Sequence, residues 1–356
     1  MAFPAAAGYT NLPNGVFSPV IYSKQVQLAF RKSSTVEAIT NNDYFGEIAN
    51  FGDSVKIIKE PEMTIKDYKR GTTIAAEDLN DQDFTLVIDQ GRYFAFKVDD
   101  IEAAHSHVNW NSLATDRAGY KLRDAYDAEV LAYMSGFTPA AIGAVGSVAR
   151  TTFPGTKANT AAGNDELLAA NKLIKGSFGN ITTADAGDHS IPVAARLPGA
   201  TSMPTATASP LMVIARMARL LDQQNVDTTG RFIVVDPIFV EMLKDEDSRV
   251  LNADFGGSGL QNGLVLNNLH GFKVYVSNNL PSVGTGAGTA GTANQNDNFG
   301  VLVAGHESSV ATAEQITKTE SYRDQDSFAD VVRGMHLYGR KILRPEGIVT
   351  AKYNVA

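Results

Sequence analysis

Apolar and polar residues alternate from Phe84 through Leu86 and Ile88, and again through Phe94, Phe96 and Val98. A period of two puts one set of side chains on one face of a strand. The pattern predicts one return strand from Phe84 to Val98, with an interruption at Gln90-Gly91. Val55, Ile57, Met63 and Ile65 predict partner strands between Val55 and Tyr68, and Pro61 marks an edge or a bend among them. Residues from about 52 to 97 thus read as a two-stranded finger with its tip or a loop near Gly71 to Gln82. Such a ribbon is marginal in water, because no third layer covers its apolar face. A neighbouring subunit is expected to supply that cover, which points to an assembly protein rather than a self-contained enzyme.

The period then changes. Trp110, Leu113, Leu122, Tyr126, Val130 and Tyr133 recur at helical spacing. Asp99, Asp100 and Glu102 precede them, where acids favour a helix N-terminus. A helix in two parts is predicted, with Asn109-Trp110-Asn111 as the joint and Ser112 to Met134 as the stronger part. Gly119 is its weak point, and Ser135-Gly136 and Pro139 stop it. Its stripe of Leu122, Tyr126, Val130 and Tyr133 is expected to cross a sheet built from about 317–338 and 347–354.

Elsewhere the signals are shorter. The first twenty or so residues read as an extended arm. A helix is predicted from Ser23 to Ile39, with Val26, Leu28 and Phe30 inward. Residues 137–207 are rich in Ala, Gly, Thr, Ser and Pro and read as an insertion, with one helix candidate at Asn164 to Lys175. That composition offers little core, so a tolerant, peripheral segment is expected. Ser209-Pro210 opens a helix to about Asn225. Strand Phe232 to Val235, a short helix from Pro237 through Phe239, Met242 and Leu243, and strand Phe272 to Val276 follow. After a low-complexity loop at Ser282 to Asn298 come strand Gly300 to Ala304 and a short helix near Ser308. The end is strand-rich, at Ile316 to Tyr322, Ala329 to Tyr338 and Ile348 to Tyr353. The class is α+β.

Composition narrows the partners. The 356 residues carry a net charge of -8 and a pI near 5.3. Phosphate binding needs clustered Lys and Arg. The densest groups are Lys66, Lys69 and Arg70, and Arg333, Arg340, Lys341 and Arg344. That argues against a general nucleic-acid binder and is compatible with a container that holds nucleic acid without gripping it. Cysteine is absent, which excludes disulfides, thiolate nucleophiles and Cys-based zinc sites. The longest apolar runs, such as Leu211 to Ala215, are too short to span a bilayer, and Met1-Ala2-Phe3-Pro4 does not read as a signal peptide.

Each chemical motif fails on spacing or context. Gly286 to Gly291 matches G-x-G-x-x-G but has no helix behind it. Gly155-Thr156-Lys157 lacks the earlier Gly of a phosphate loop, and Gly256 to Leu260 lacks the last Gly of G-x-S-x-G. His105 and His107 face different sides of a helix, and His189, His270, His306 and His336 are isolated. The acidic steps Asp81-Asp83 and Asp245-Glu246-Asp247 lack the Gly and terminal Glu of a calcium loop. Asp99, Asp100 and Glu102 read as helix capping rather than paired catalytic acids. No catalytic, cofactor-binding or metal residue is expected, and the chain reads as a non-enzyme with no cofactor.

Three stretches carry a resemblance. They are Phe94-Ala95-Phe96-Lys97-Val98-Asp99-Asp100-Ile101-Glu102-Ala103-Ala104; the helix Ala118 to Met134 with Leu122-Arg123-Asp124-Ala125-Tyr126-Asp127; and Glu320-Ser321-Tyr322-Arg323 followed by Val331 to Gly339 and Arg344-Pro345-Glu346. In their order the chain resembles the major capsid proteins of tailed bacteriophages with the Hong Kong 97 fold. The resemblance implies an N-terminal arm and helix at 1–50, an extended hairpin loop at 51–98 and a spine helix at 99–136. It further implies an inserted segment at 137–207, an axial domain at 208–316, and a peripheral domain made of 99–136 with 317–356. It implies a subunit that self-assembles into the icosahedral shell of a double-stranded DNA phage. Hexamers and pentamers of this chain would enclose the DNA without reading its sequence and without a membrane. Scaffolding, portal and decoration proteins are the implied partners, and the virion, assembled in the host cytoplasm, is the implied location. The chain starts almost at the arm, so any scaffold is expected to be separate or removed earlier. Some relatives crosslink through Lys and Asn, for which Lys66 or Lys69 is a candidate donor, but an ordinary solvated Lys on an exposed ribbon is the commoner reading. An encapsulin-like cargo compartment is the alternative.

Overall fold

Short apolar runs without alternation, such as Phe232-Ile233-Val234-Val235 and Val301-Leu302-Val303-Ala304, mark strands buried on both faces. They lie in the middle of the larger of the sheets in this computed structural model. It describes residues 34–43, 54–59, 63, 65–71, 73, 76, 82–100, 110–136, 167–173, 175–178, 190–193, 207–243, 268–281 and 300–355. In chain order the elements are β1 (Ser54–Lys59), β2 (Gln82–Val87), β3 (Gln90–Asp99), α1 (Trp110–Ser135), β4 (Lys172–Leu173), β5 (Ile191–Val193) and α2 (Pro210–Gln223). Then come β6 (Arg231–Val235), α3 (Pro237–Leu243), β7 (Asn268–Leu269), β8 (Phe272–Val276), β9 (Gly300–His306), β10 (Val310–Arg323), β11 (Ala329–Ile342) and β12 (Ile348–Val355).

The larger sheet has seven strands in the order β4-β12-β9-β6-β8-β7, with β5 also beside β12. Its two faces follow the strand period. Ile233, Val235, Leu302 and Ala304 enter one buried cluster, and Phe232, Val234, Val301 and Val303 enter another. Helix α2 covers the first face with Val213, Ile214, Met217, Leu220 and Leu221. Its start is capped as the sequence predicts. Ser209 Oγ accepts from Met212 N at 3.2 Å, and Pro210 occupies the first turn, where its missing N–H costs nothing. On the second face lie Tyr126, Val130, Leu131 and Met134 of α1, together with Tyr338 and Ile342 of β11. Each large side chain so buried contributes about 1.5–3 kcal/mol.

The smaller sheet runs β10-β11-β3, antiparallel throughout, with a bulge between Glu314 and Ile316. Strands β1 and β2 form a separate ribbon. The single strand expected from Phe84 to Val98 is therefore two strands. It breaks at Ile88-Asp89, two residues before Gln90-Gly91. Its halves take different partners, β1 for one and β11 for the other. Alternation tells which side chains share a face but not which distant strand is the partner. The base of the ribbon also has the third layer that the sequence did not show. Leu86 is fully buried against Ala311, Ala313 and Leu343, with Val55, Ile57 and Ile88 at its margin.

Further expectations change. Strand β12, expected beside β11 under the α1 stripe, belongs to the larger sheet, paired with β9 on one side and β4 and β5 on the other. The helix expected at Asn164 to Lys175 is, over its described part, a 3-10 turn at Ala169–Asn171 followed by β4 and a second turn at Lys175–Phe178. Asn171 explains this. Its buried Nδ2 donates to Ile348 O at 2.9 Å and lies within 3.3 Å of Pro345 O and Glu346 O, which ties the chain to the start of β12. The segment 137–207 consequently supplies core, since Leu167, Leu173, Ile191 and Val193 are buried. Helix α1 runs unbroken from Trp110, so Trp110 and Asn111 of the expected joint are ordinary helical residues; Asn109 and the first part of the expected helix beyond Asp100 lie outside the described residues. Of the helix expected at Ser23 to Ile39, the described end is a 3-10 turn at Val36–Ala38. The arm and the loop at Ser282 to Asn298 also lie outside them.

Candidate functional site

Two buried carboxylates on α1 tie the fold together. Asp127 is fully buried and accepts four hydrogen bonds. Oδ1 takes Ser34 Oγ at 3.1 Å, Thr35 N at 2.8 Å and Val36 N at 2.9 Å, while Oδ2 takes Asn279 Nδ2 at 2.9 Å. One side chain thus joins the turn at Val36–Ala38, the helix and the segment after β8. Glu129, also buried, receives Arg92 Nη2 at 2.9 Å and the hydroxyl of Tyr338. Arg340 Nη1 lies 3.0 Å from Glu129 Oε1, close enough for charge attraction but not aligned as a hydrogen bond. The Arg340 guanidinium stacks on Tyr133, 4.8 Å from the ring centre. Burial first, and then the bond to Glu129, raise the Tyr338 phenol above its ordinary range. A third pair, Tyr353 and Asp236, lies under α3. The Tyr353 hydroxyl donates to Asp236 Oδ1, and the same oxygen accepts Phe239 N at 3.1 Å. Burial raises both groups, and it outweighs the hydrogen bonds that act to lower Asp236.

These are fixed, partnered groups rather than a reacting constellation. Among the described residues no cluster of His, Asp and Glu has metal-site geometry. His270 sits in the exposed β7–β8 turn, His306 Nδ1 accepts Ser308 N at 3.2 Å, and His336 packs edge-on against Tyr126 inside the smaller sheet. They are not brought together. Asp100 pairs with Arg323 rather than capping alone, with Nη1 at 2.8 Å, and its carboxyl is lowered by that bond. His105, His107, His189 and Glu102, the Gly286 to Gly291, Gly155 to Lys157 and Gly256 to Leu260 stretches, Asp81 and Asp245 to Asp247 lie outside the described residues. Asp127 is part of a stretch that carried the resemblance, but no role was legible for it. Glu129 was not singled out. The available signal was two acids lying between Tyr126 and Val130, on a helix whose last turns are buried almost all round.

The unusual surface is elsewhere. On the ribbon and the described part of its tip, Ile58 is 73% exposed, Met63 71%, Ile65 99% and Tyr68 67%. Lys66 and Lys69 share that exposed stretch. On the smaller sheet the register sets Tyr93 beside Met335, and Val331 beside Tyr322. Tyr93 and Phe328 are each 80% exposed there. Scattered exposed apolar residues are ordinary; here several are concentrated on one separate ribbon.

The sequence pattern of the family described as phage capsid protein matches residues 59–351. This chain belongs to the phage capsid protein family. It is a major capsid protein, a structural component of the virion, and the cargo-compartment alternative is not favoured. The capsid fold agrees. A chain from Mycobacterium phage Che8 is 24% identical, with a TM-score of 0.66 over 94% of this chain and 97% of that one. The capsid of cyanophage P-SCSP1u is 17% identical, with a TM-score of 0.64 over 96% and 94%. The capsid of Ralstonia phage GP4 is 13% identical, with a TM-score of 0.61 over 98% and 99%. At these identities the likeness concerns the fold, a mixed helix and sheet capsid architecture. No curated protein is detectably similar in sequence.

Proposed function

We propose that this capsid protein self-assembles into the icosahedral shell of a tailed double-stranded DNA phage, as hexamers and pentamers of one chain. The supporting observation is the ribbon, anchored at Leu86 and carrying exposed Ile58, Met63, Ile65 and Tyr68 outward. A closed shell needs heterologous contacts, in which one surface of a subunit meets a different surface of the next. A projecting arm makes such contacts, and many weak ones per subunit combine into a stable whole. In this reading β1 and β2 belong to the extended loop of a Hong Kong 97-type subunit and α1 is the spine helix. The larger sheet lies mainly in the axial domain, and β3, β10 and β11 belong to the peripheral side. The net charge of -8 suits a container that surrounds DNA without sequence-specific binding. Scaffolding, portal and decoration proteins are partners of the same reading, with assembly in the host cytoplasm before packaging. The chain would act without a catalytic site or cofactor.

The test replaces residues 60–81 by Asn-Gly, which closes β1 onto β2 with a two-residue turn at the Lys59–Gln82 pair. The subunit should stay folded by circular dichroism and thermal melting, and electron microscopy should show no closed shells. Normal shells from the shortened protein would refute the proposal.

A further inference from the structure

The ribbon leaves the subunit over a seat made of small residues. Ala313 and Gly339 are direct register partners in β10 and β11, and Ala311 lies two residues earlier on the same face. Both alanines are fully buried beneath Leu86. At Gly339 the approach is backbone on backbone. A Cβ there would sit 3.0 Å from Ile88 Cα and closer still to Val87 O. Val87 is the last residue of β2, and Ile88 is the first of the break at Ile88-Asp89. The break is where the chain leaves the ribbon and enters β3 of the smaller sheet. Ordinary carbon contacts need about 3.5–4.0 Å, and a backbone neighbour cannot turn aside as a flexible side chain can. The Phe94 ring is the neighbour at Gly334, by contrast, so that glycine faces a side chain with rotamers to spare.

We propose that Gly339, with Ala311 and Ala313, is a positioning joint that sets the direction in which the ribbon projects. Any side chain at residue 339 lifts the end of β2 by about 0.5–1 Å and tilts the ribbon away from the sheet. Leu86, Val55 and Ile57 then lose part of the packing that holds its base. The seat is built from the smallest residues because the crossing is tight, not because a turn needs unusual backbone angles. The joint stands on the geometry of one subunit. Its consequence for assembly rests on the reading of the ribbon as an intersubunit arm.

The chain has no cysteine, so two introduced cysteines label uniquely. Spin labels at Ile65→Cys, on the exposed tip stretch, and Gln325→Cys, in the exposed β10–β11 turn, report the ribbon direction by pulsed electron resonance on unassembled subunits. Gly339→Val should move the distance peak by more than the roughly 1 Å lift, and Gly339→Ala should move it less. Gly119→Ala, where an added Cβ meets nothing within 4 Å, should leave it in place. Without labels, closed shells counted by electron microscopy should fall by about tenfold or more for Gly339→Val, since a small misdirection repeats at every contact. A folded Gly339→Val subunit with unchanged peak and width overturns the joint. If valine prevents folding, an unchanged peak in Gly339→Ala does the same. A moved peak with undiminished shells upholds the joint and instead overturns the intersubunit reading of the ribbon.

Discussion

Replacing Asp127 by Ala should cost about 3–5 kcal/mol of subunit stability. The carboxylate is fully buried and accepts two backbone N–H groups, one amide N–H and one hydroxyl. Hydrogen bonds to a charged group are worth about 1.5–3 kcal/mol each, but they share one acceptor and the carboxylate's own desolvation offsets part of the sum. The larger effect is what remains behind. Thr35 N and Val36 N would lose their side-chain acceptor, and each buried unsatisfied donor costs about 1–3 kcal/mol. Part of that is recovered when the turn at Val36–Ala38 peels away and finds water. Peeling should carry Asn41 with it, breaking its backbone bonds to Val310 and Thr312. Asp127→Asn should cost less, about 1–2 kcal/mol. Its Oδ1 can still take Thr35 N and Val36 N, and a flipped Asn279 amide can accept from its Nδ2. Urea unfolding of unassembled subunits measures both costs, and amide exchange at residues 35, 36 and 312 locates the damage. If Asp127→Ala stays within 1 kcal/mol of the natural chain with residues 35 and 36 still protected, Asp127 does not hold the N-terminal turn to the helix, and the reasoning fails.

Other outcomes follow from single residues. Leu122 is only half-buried on α1, whereas Val130 is fully buried. Val130→Asp should therefore give insoluble protein, and Leu122→Asp should remain soluble in a sedimentation assay of the expressed subunits. Gly119→Ala should raise unfolding stability by about 0.5–1 kcal/mol in a denaturant titration, because alanine favours a helix and the site is open. Asp324, held down to about 2 by the Ser327 hydroxyl and then by Lys97, has a folded pKa below its unfolded value of about 3.9. Its contribution is complete above the unfolded value and is lost as pH falls from about 4 towards 2, so the 324–329 turn should loosen in that window and not between pH 5 and 9. A carboxyl carbon titration by nuclear magnetic resonance that places Asp324 near 4 would show that these contacts do not hold in solution.

The sequence by itself determined the local elements wherever a period ran long enough. The helix from Trp110 to Ser135, the capped helix at Pro210 and the strands at Phe232, Phe272, Gly300 and Ile348 were all legible, because side-chain spacing and capping act over a few residues. Val55 and Ile57 were legible as alternation on a ribbon, whereas the exposure of Ile58 beside them was not. Tertiary structure decided which elements met. The strand from Phe84 to Val98 divides because one half meets β1 and the other meets β11, more than two hundred residues later. Strand β12 lies in the larger sheet because its neighbours are β9, β4 and β5, and Asn171 becomes part of a turn because β12 carries acceptors for it. Asp127 and Glu129 look like any acids on a helix until Asn279, Arg92, Arg340 and Tyr338 arrive from distant parts of the chain. The seat at Gly339 was invisible for the same reason. A glycine in a strand reads as weakness, and only the crossing of β2 shows that it leaves room for another backbone.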